Sequence, residues 1–165
     1  MPLRTPDDAS CAITVDQVSK AVIAKVAPGE AGVLDVYLVA YSRDTSVVDA
    51  VARPGADSTG FGEYLESTTP YVVALCHFTL HQVIISAAVD TAKDRIRGGS
   101  RFLLNRMRKP QTPQVTVSTI TSLTSAQLNL VRERTERKAL QLGLADDTAS
   151  VLADAVIGSI VEATS

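Results

Sequence analysis

The stretch "STTPYVVALCHFTLHQVIISAAV", residues 67–89, decides the fold. It runs for 23 residues without Asp, Glu, Lys or Arg. As a helix at about 1.5 Å per residue it could cross a hydrocarbon layer of about 30 Å. The basic residues that follow it match the cytoplasmic flank of such a span. Against insertion stand Thr68, Thr69, His77, Thr79, His81, Gln82 and Ser86, too many polar groups for a lone helix in lipid. A helix apolar nearly all round is also the central helix of a bundle, where those polar atoms find partners on neighbouring helices. The burial reading is favoured here, and membrane insertion or docking stands as the alternative.

Composition supports a bundle. The chain has 165 residues, 45% of them hydrophobic, which is enough for one domain with a core of its own. Tryptophan is absent, and four Tyr and three Phe are the only aromatics. The apolar load is therefore Ala, Leu, Val and Ile, which suits packed helices better than a sandwich. Two cysteines, Cys11 and Cys76, make no disulfide framework. Residues 1–16 carry Arg4, Asp7, Asp8 and Asp16 with no apolar run, so a cytoplasmic location is expected.

Outward from the central stretch, start and stop signals mark further helices. Residues 1–13 read as a flexible arm. Thr14 and Gln17 form a capping-box pattern ahead of Val15, Val18, Val22 and Val26 at helical spacing, and "APG" at 27–29 ends that helix. Residues 30–44 mix a helical pattern (Leu34, Leu38, Tyr41) with a strand-like run from Val36 to Val39; helical neighbours favour helix. A short helix over 46–52 and a loop over 53–63 precede the main element, which starts at Thr69-Pro70 and breaks at Gly98-Gly99. Ser100 can cap a second basic helix, 101–109. The uncharged, Thr-rich stretch 110–123 reads as a linker or one extended crossing. A second capping box at Thr124 and Gln127 opens a helix to 142, Gly143 is a natural left-handed terminator, and Asp146 or Asp147 caps a last helix over 148–163. The expectation is an all-α single domain: five to seven helices around 67–97, a main bundle over 14–109, the crossing at 110–123 and a C-terminal αα-hairpin over 124–165. In that hairpin "RERTERK" (132–138) should face water.

Motifs for chemistry are sparse. His77 and His81 are four apart and share a helix face, with Cys76 beside the first. Zinc needs three or four ligands, and a third would have to come from a carboxylate such as Asp90, Glu63 or Glu66. Phe78 stands where a metalloprotease helix has Glu, and no C-x-x-C-H is present. A nucleophilic thiol needs an electropositive, partly exposed setting, which this apolar run lacks. Gly60-Phe61-Gly62 has too few glycines for a phosphate loop, and Phe61 reads better as a hydrophobic plug. The hairpin over 125–163 resembles a DNA-reading helix pair in length alone. Its second helix holds Asp146, Asp147, Asp154 and Glu162 and no basic residue, so phosphates would repel it. No catalytic residue and no cofactor is expected; His77 and His81 remain the candidates for a metal-binding or enzymatic reading.

The strongest functional signal is charge. The net charge of −2 hides a segregation: residues 93–109, "KDRIRGGSRFLLNRMRK", carry 7 basic residues and 1 acidic one. Lys93, Arg95, Arg97, Arg101, Arg106, Arg108 and Lys109 are the candidate binding residues. Ile96, Phe102, Leu103, Leu104 and Met107 among them give an interfacial pattern. A non-catalytic interaction module is expected, a small subunit or adaptor that uses this segment to contact another protein or an acidic surface. Anionic lipid is the alternative partner. Nucleic acid ranks below both, because the chain is acidic overall and poor in aromatics for stacking. Self-association is left open.

Overall fold

A computed structural model describes residues 12–51, 67–94 and 112–165, with side chains up to 88 in the second of these segments. In chain order the elements are β1 (Ala12–Thr14), α1 (Val15–Val26), a 3-10 turn (Pro28–Glu30), α2 (Ala31–Arg43), α3 (Val47–Ala50), α4 (Thr69–Asp94), β2 (Gln114–Thr116), α5 (Val117–Thr121), α6 (Ser125–Gln141) and α7 (Asp146–Glu162). The fold is an all-α bundle with one two-stranded ladder. Helix α4 is its centre: α1, α2, α3, α5, α6, α7 and β2 all pack on it. Val72, Val73, Leu75, Cys76, Leu80 and Val83 along it are fully buried. Thr79, also fully buried, lies among them. These side chains lie where neighbouring helices pack on α4, while His77, Phe78, His81, Gln82, Ile84 and Ile85 are half-buried, so this part of the helix has no charged face.

Both capping boxes form. Gln17 N–H donates to Thr14 Oγ1 at 3.4 Å, and Thr14 N–H donates to Gln17 Oε1 at 3.1 Å. Thr124 and Gln127 repeat the exchange at 3.3 and 2.6 Å. The ambiguous stretch 31–43 is helical; Val36 and Val39 point outward from it, while Leu34, Tyr37, Leu38 and Tyr41 turn inward. Helix α6 ends in a Schellman motif. Leu144 N–H reaches Ala139 O at 3.2 Å and Gly143 N–H reaches Leu140 O at 2.9 Å, with Gly143 at φ +89°. Helix α7 starts earlier than the sequence pattern placed it. Ala145 is its N-cap and offers no side chain to the backbone, so Asp146 and Asp147 occupy the first turn and act on the helix dipole.

Two segments differ from their sequence reading for one reason: pairing across the chain. Ala12–Thr14, the end of the stretch read as an arm, forms an antiparallel ladder with Gln114–Thr116, with Ile13 opposite Val115 and both buried. Each strand ends in a threonine that caps the next helix; Thr116 Oγ1 accepts from Thr119 N–H at 3.3 Å. The extended crossing therefore continues as α5, and Ile120 and Leu123 bury against the core. No periodicity reveals such a ladder, because three residues per strand are too few to alternate visibly.

Candidate functional site

The polar residues of α4 divide by face. Toward α6, Thr79 and Thr135 bring their hydroxyl oxygens to 2.8 Å, fully buried. Thr79 Oγ1 also lies 2.7 Å from Leu75 O, and Thr135 Oγ1 lies 2.9 Å from Val131 O. Two protons serve these three contacts, so one hydroxyl donates to its partner while the other bonds to its own helix. Arg134 Nη1 donates to Gln82 Oε1 at 2.8 Å, and the Lys138 ammonium sits 5.8 Å from the centre of the Phe78 ring. Thr135 corrects the expectation for "RERTERK": that stretch is not uniformly solvated, because its middle residue faces the core. On the outer side Arg132 bonds to Asp154, Glu136 and Ser150.

Toward α2 and α3 stand the two histidines. Their rings lie 4.8 Å apart, centre to centre, tilted by 60°. The Tyr41 hydroxyl is 2.6 Å from His77 Nδ1, and the two rings meet edge to face at 5.6 Å. Tyr41 is buried, and both histidines are half-buried. The Tyr41 hydroxyl is buried with no other hydrogen-bond acceptor among the described residues, so it donates to Nδ1 of neutral His77, which assigns the imidazole proton to Nε2. Burial pushes the His77 pKa down to about 4, the neighbouring His81 pushes the same way, and Asp49 on α3 opposes both. Burial also lowers His81. The Tyr41 hydroxyl is held protonated by burial and by the nearby Cys76. Cys76 is fully buried on another side of α4, its thiol pushed up to about 12 by burial despite an interaction with the Ser19 hydroxyl. Ser19 Oγ is itself buried without a partner in hydrogen-bonding geometry. A thiol so placed is a packing group rather than a nucleophile.

Comparison of the chain with protein-family models, curated proteins and solved structures finds no match.

Function is therefore read from the residues themselves. Among the described residues no three of His, Cys, Asp and Glu lie together as a metal site would require. Glu63 and Glu66 lie outside the described residues, as does the side chain of Asp90. Among the described residues one helix, Thr69–Ala88, is long and apolar enough to cross a membrane, a test that a core helix also passes. Of the basic candidates, Lys93 falls in the last turn of α4; Arg95, Arg97, Arg101, Arg106, Arg108 and Lys109 lie outside the described residues, as do Phe61 and the helix expected over 101–109.

Sequence reasoning missed Glu30. Its Oε1 accepts from Thr68 N–H at 3.0 Å, and its Oε2 accepts from Thr69 N–H and Thr69 Oγ1, each at 2.8 Å. A carboxylate from the turn before α2 thus satisfies the first amides of α4, a cap 38 residues away in the chain. Burial disfavours its charge, but the Thr68 and Thr69 hydrogen bonds outweigh that and hold its pKa below the usual 4.5. A local capping signal cannot report a partner so distant.

Proposed function

We propose that this protein is a non-catalytic interaction module, a small helical subunit or adaptor, whose segment 93–109 contacts an acidic surface on another protein. The observation that carries this reading is the charge segregation, 7 basic residues and 1 acidic within 17 positions of a chain whose net charge is −2. Clustered like charges repel one another and add little to folding, so an opposite surface is the natural reason to keep them together. What supports it in the fold is α4, which is packed into the core between Val72 and Ser86 and runs on as helix to Asp94, the second residue of the segment. The test compares the full chain with the variant Arg101→Gln/Arg106→Gln/Arg108→Gln in affinity capture at rising salt. Acidic partners should be retained at low salt, released as salt screens the contact, and lost from the variant while its melting curve stays unchanged. Equal capture by both chains would overturn the reading.

A second reading is favoured by the C-terminal half of α4, where Ile84 and Ile85 are only half-buried just before the basic segment. A helix face of this kind, continued by Arg among Phe and Leu, suits the surface of an anionic membrane. Flotation with vesicles of phosphatidylserine and phosphatidylcholine, against phosphatidylcholine alone, separates it from the first reading. Binding to the anionic vesicles alone, with no acidic protein retained, would replace the adaptor by a peripheral membrane protein.

A further inference from the structure

We infer that the His77–His81 pair is an acid-sensitive latch, holding α2 and α3 on α4 while both imidazoles are neutral and releasing them on protonation. The geometry supplies the reasons. Neutral His77 accepts the Tyr41 proton at Nδ1 across 2.6 Å. A protonated His77 carries N–H at that position, so two donors face each other. Tyr41 must then turn its own proton away inside a site where it is only 3% exposed. A second proton on His81 places like charges on rings 4.8 Å apart in a partly desolvated setting.

Among the described residues only Asp49 offsets these charges, and only in part. From α2 come Tyr41 and Tyr37, the latter donating to Val47 O at 3.1 Å. From α3 comes Asp49, which favours the charged form of His77 but makes no ion pair with it. Cys76 of α4 is buried toward Ser19 of α1. On α1, Lys20 pairs with Asp16 and Lys25 with Glu162 of α7. Helix α6 offers Arg134 and Lys138, cations directed to Gln82 and Phe78 on the adjoining strip of α4. The α7 carboxylate Asp154 is taken by Arg132, and β2 and α5 contain no charged residue. Protonation therefore strains the contact between α4 and the α2–α3 cover. Release exposes the inner face of α2, which is Leu34, Tyr37, Leu38 and Tyr41. This inference is independent of the partner of segment 93–109.

Hydrogen exchange on the full chain, corrected for the intrinsic effect of pH, tests it between pH 7.5 and about 4.5. That window runs from above the ordinary histidine value of 6.5 down toward the value of about 4 to which His77 is pushed. Glu30 is held below its usual 4.5 by its hydrogen bonds, so it keeps its charge over most of that window. Amides of 31–51 should lose protection at least tenfold relative to 125–162 as the pH falls. His77→Gln/His81→Gln should retain that protection. His81→Gln alone, which leaves the Tyr41–His77 contact in place, should give a shallower loss because one proton drives it instead of two. Unchanged protection of 31–51 in the wild-type chain would overturn the latch. So would an equally steep loss in His81→Gln, or a simultaneous loss over 125–162.

Discussion

The two sides of α4 are held by different chemistry. On the α6 side, hydroxyls, an amide and long cationic side chains make the polar contacts, and the α6–α7 turn is closed by a Schellman motif. None of these groups is of a type that changes charge between pH 4 and 7. On the α2–α3 side the polar contacts are a tyrosine on a histidine, a second histidine beside it, and a carboxylate over the first amides of α4. Each can lose its role with one proton. A single apolar helix thus has one wall whose polar contacts keep their charge through mild acid and another whose polar contacts include titratable groups.

The largest expected effect breaks the comparison by striking both walls at once. Leu80 is fully buried in the shared core, so Leu80→Ala should destabilise by about 2–5 kcal/mol through lost burial and the cavity left behind. Denaturant melts should show it as a lower midpoint with an unchanged slope.

Glu30→Ala comes next and separates the walls. It leaves the Thr68 and Thr69 amides without their carboxylate and should cost about 1–2 kcal/mol. Its pH dependence has a definite sign. The folded pKa lies below the unfolded one, so the contribution is present above about 4.5 and is lost as the pH falls through the lowered value. The gap between wild type and Glu30→Ala should therefore close in strong acid.

Gly143→Val acts on the other wall alone. At φ +89° a β-branched residue is strained even though open space surrounds the position, so a loss of about 1 kcal/mol or more is expected at every pH. A cost that varied with pH between 4 and 7 would blur the distinction between the walls. The smallest effect belongs to Lys25→Ala. It removes an exposed ion pair with Glu162 and should cost about 0–1 kcal/mol, less at high salt.

What could be read in the sequence follows the range of each interaction. Capping boxes at Thr14–Gln17 and Thr124–Gln127, the left-handed Gly143 and the buried apolar positions between Val72 and Val83 are set within a few positions of the chain, and each was legible. Glu30 capping α4, Tyr41 meeting His77, Ile13 pairing with Val115 and Thr135 meeting Thr79 all join residues far apart in the chain. No local pattern encodes them. Thr135 is the instructive case: six charged neighbours in 132–138 masked the one position that is fully buried. The histidine pair itself was visible as an i, i+4 spacing, but its character was not. Its low affinity for protons comes from burial under a helix whose placement only the fold supplies.

The most direct measurement is an NMR titration of the two imidazoles in the folded chain. His77 should titrate with a midpoint near 4, and His81 should also lie below 6.5. Because His77 is depressed on folding, its contribution to stability is whole above about 6.5 and is lost as the pH falls through about 4. A midpoint at or above 6.5 for His77 would contradict the desolvated pair and, with it, the distinction between the two walls of α4.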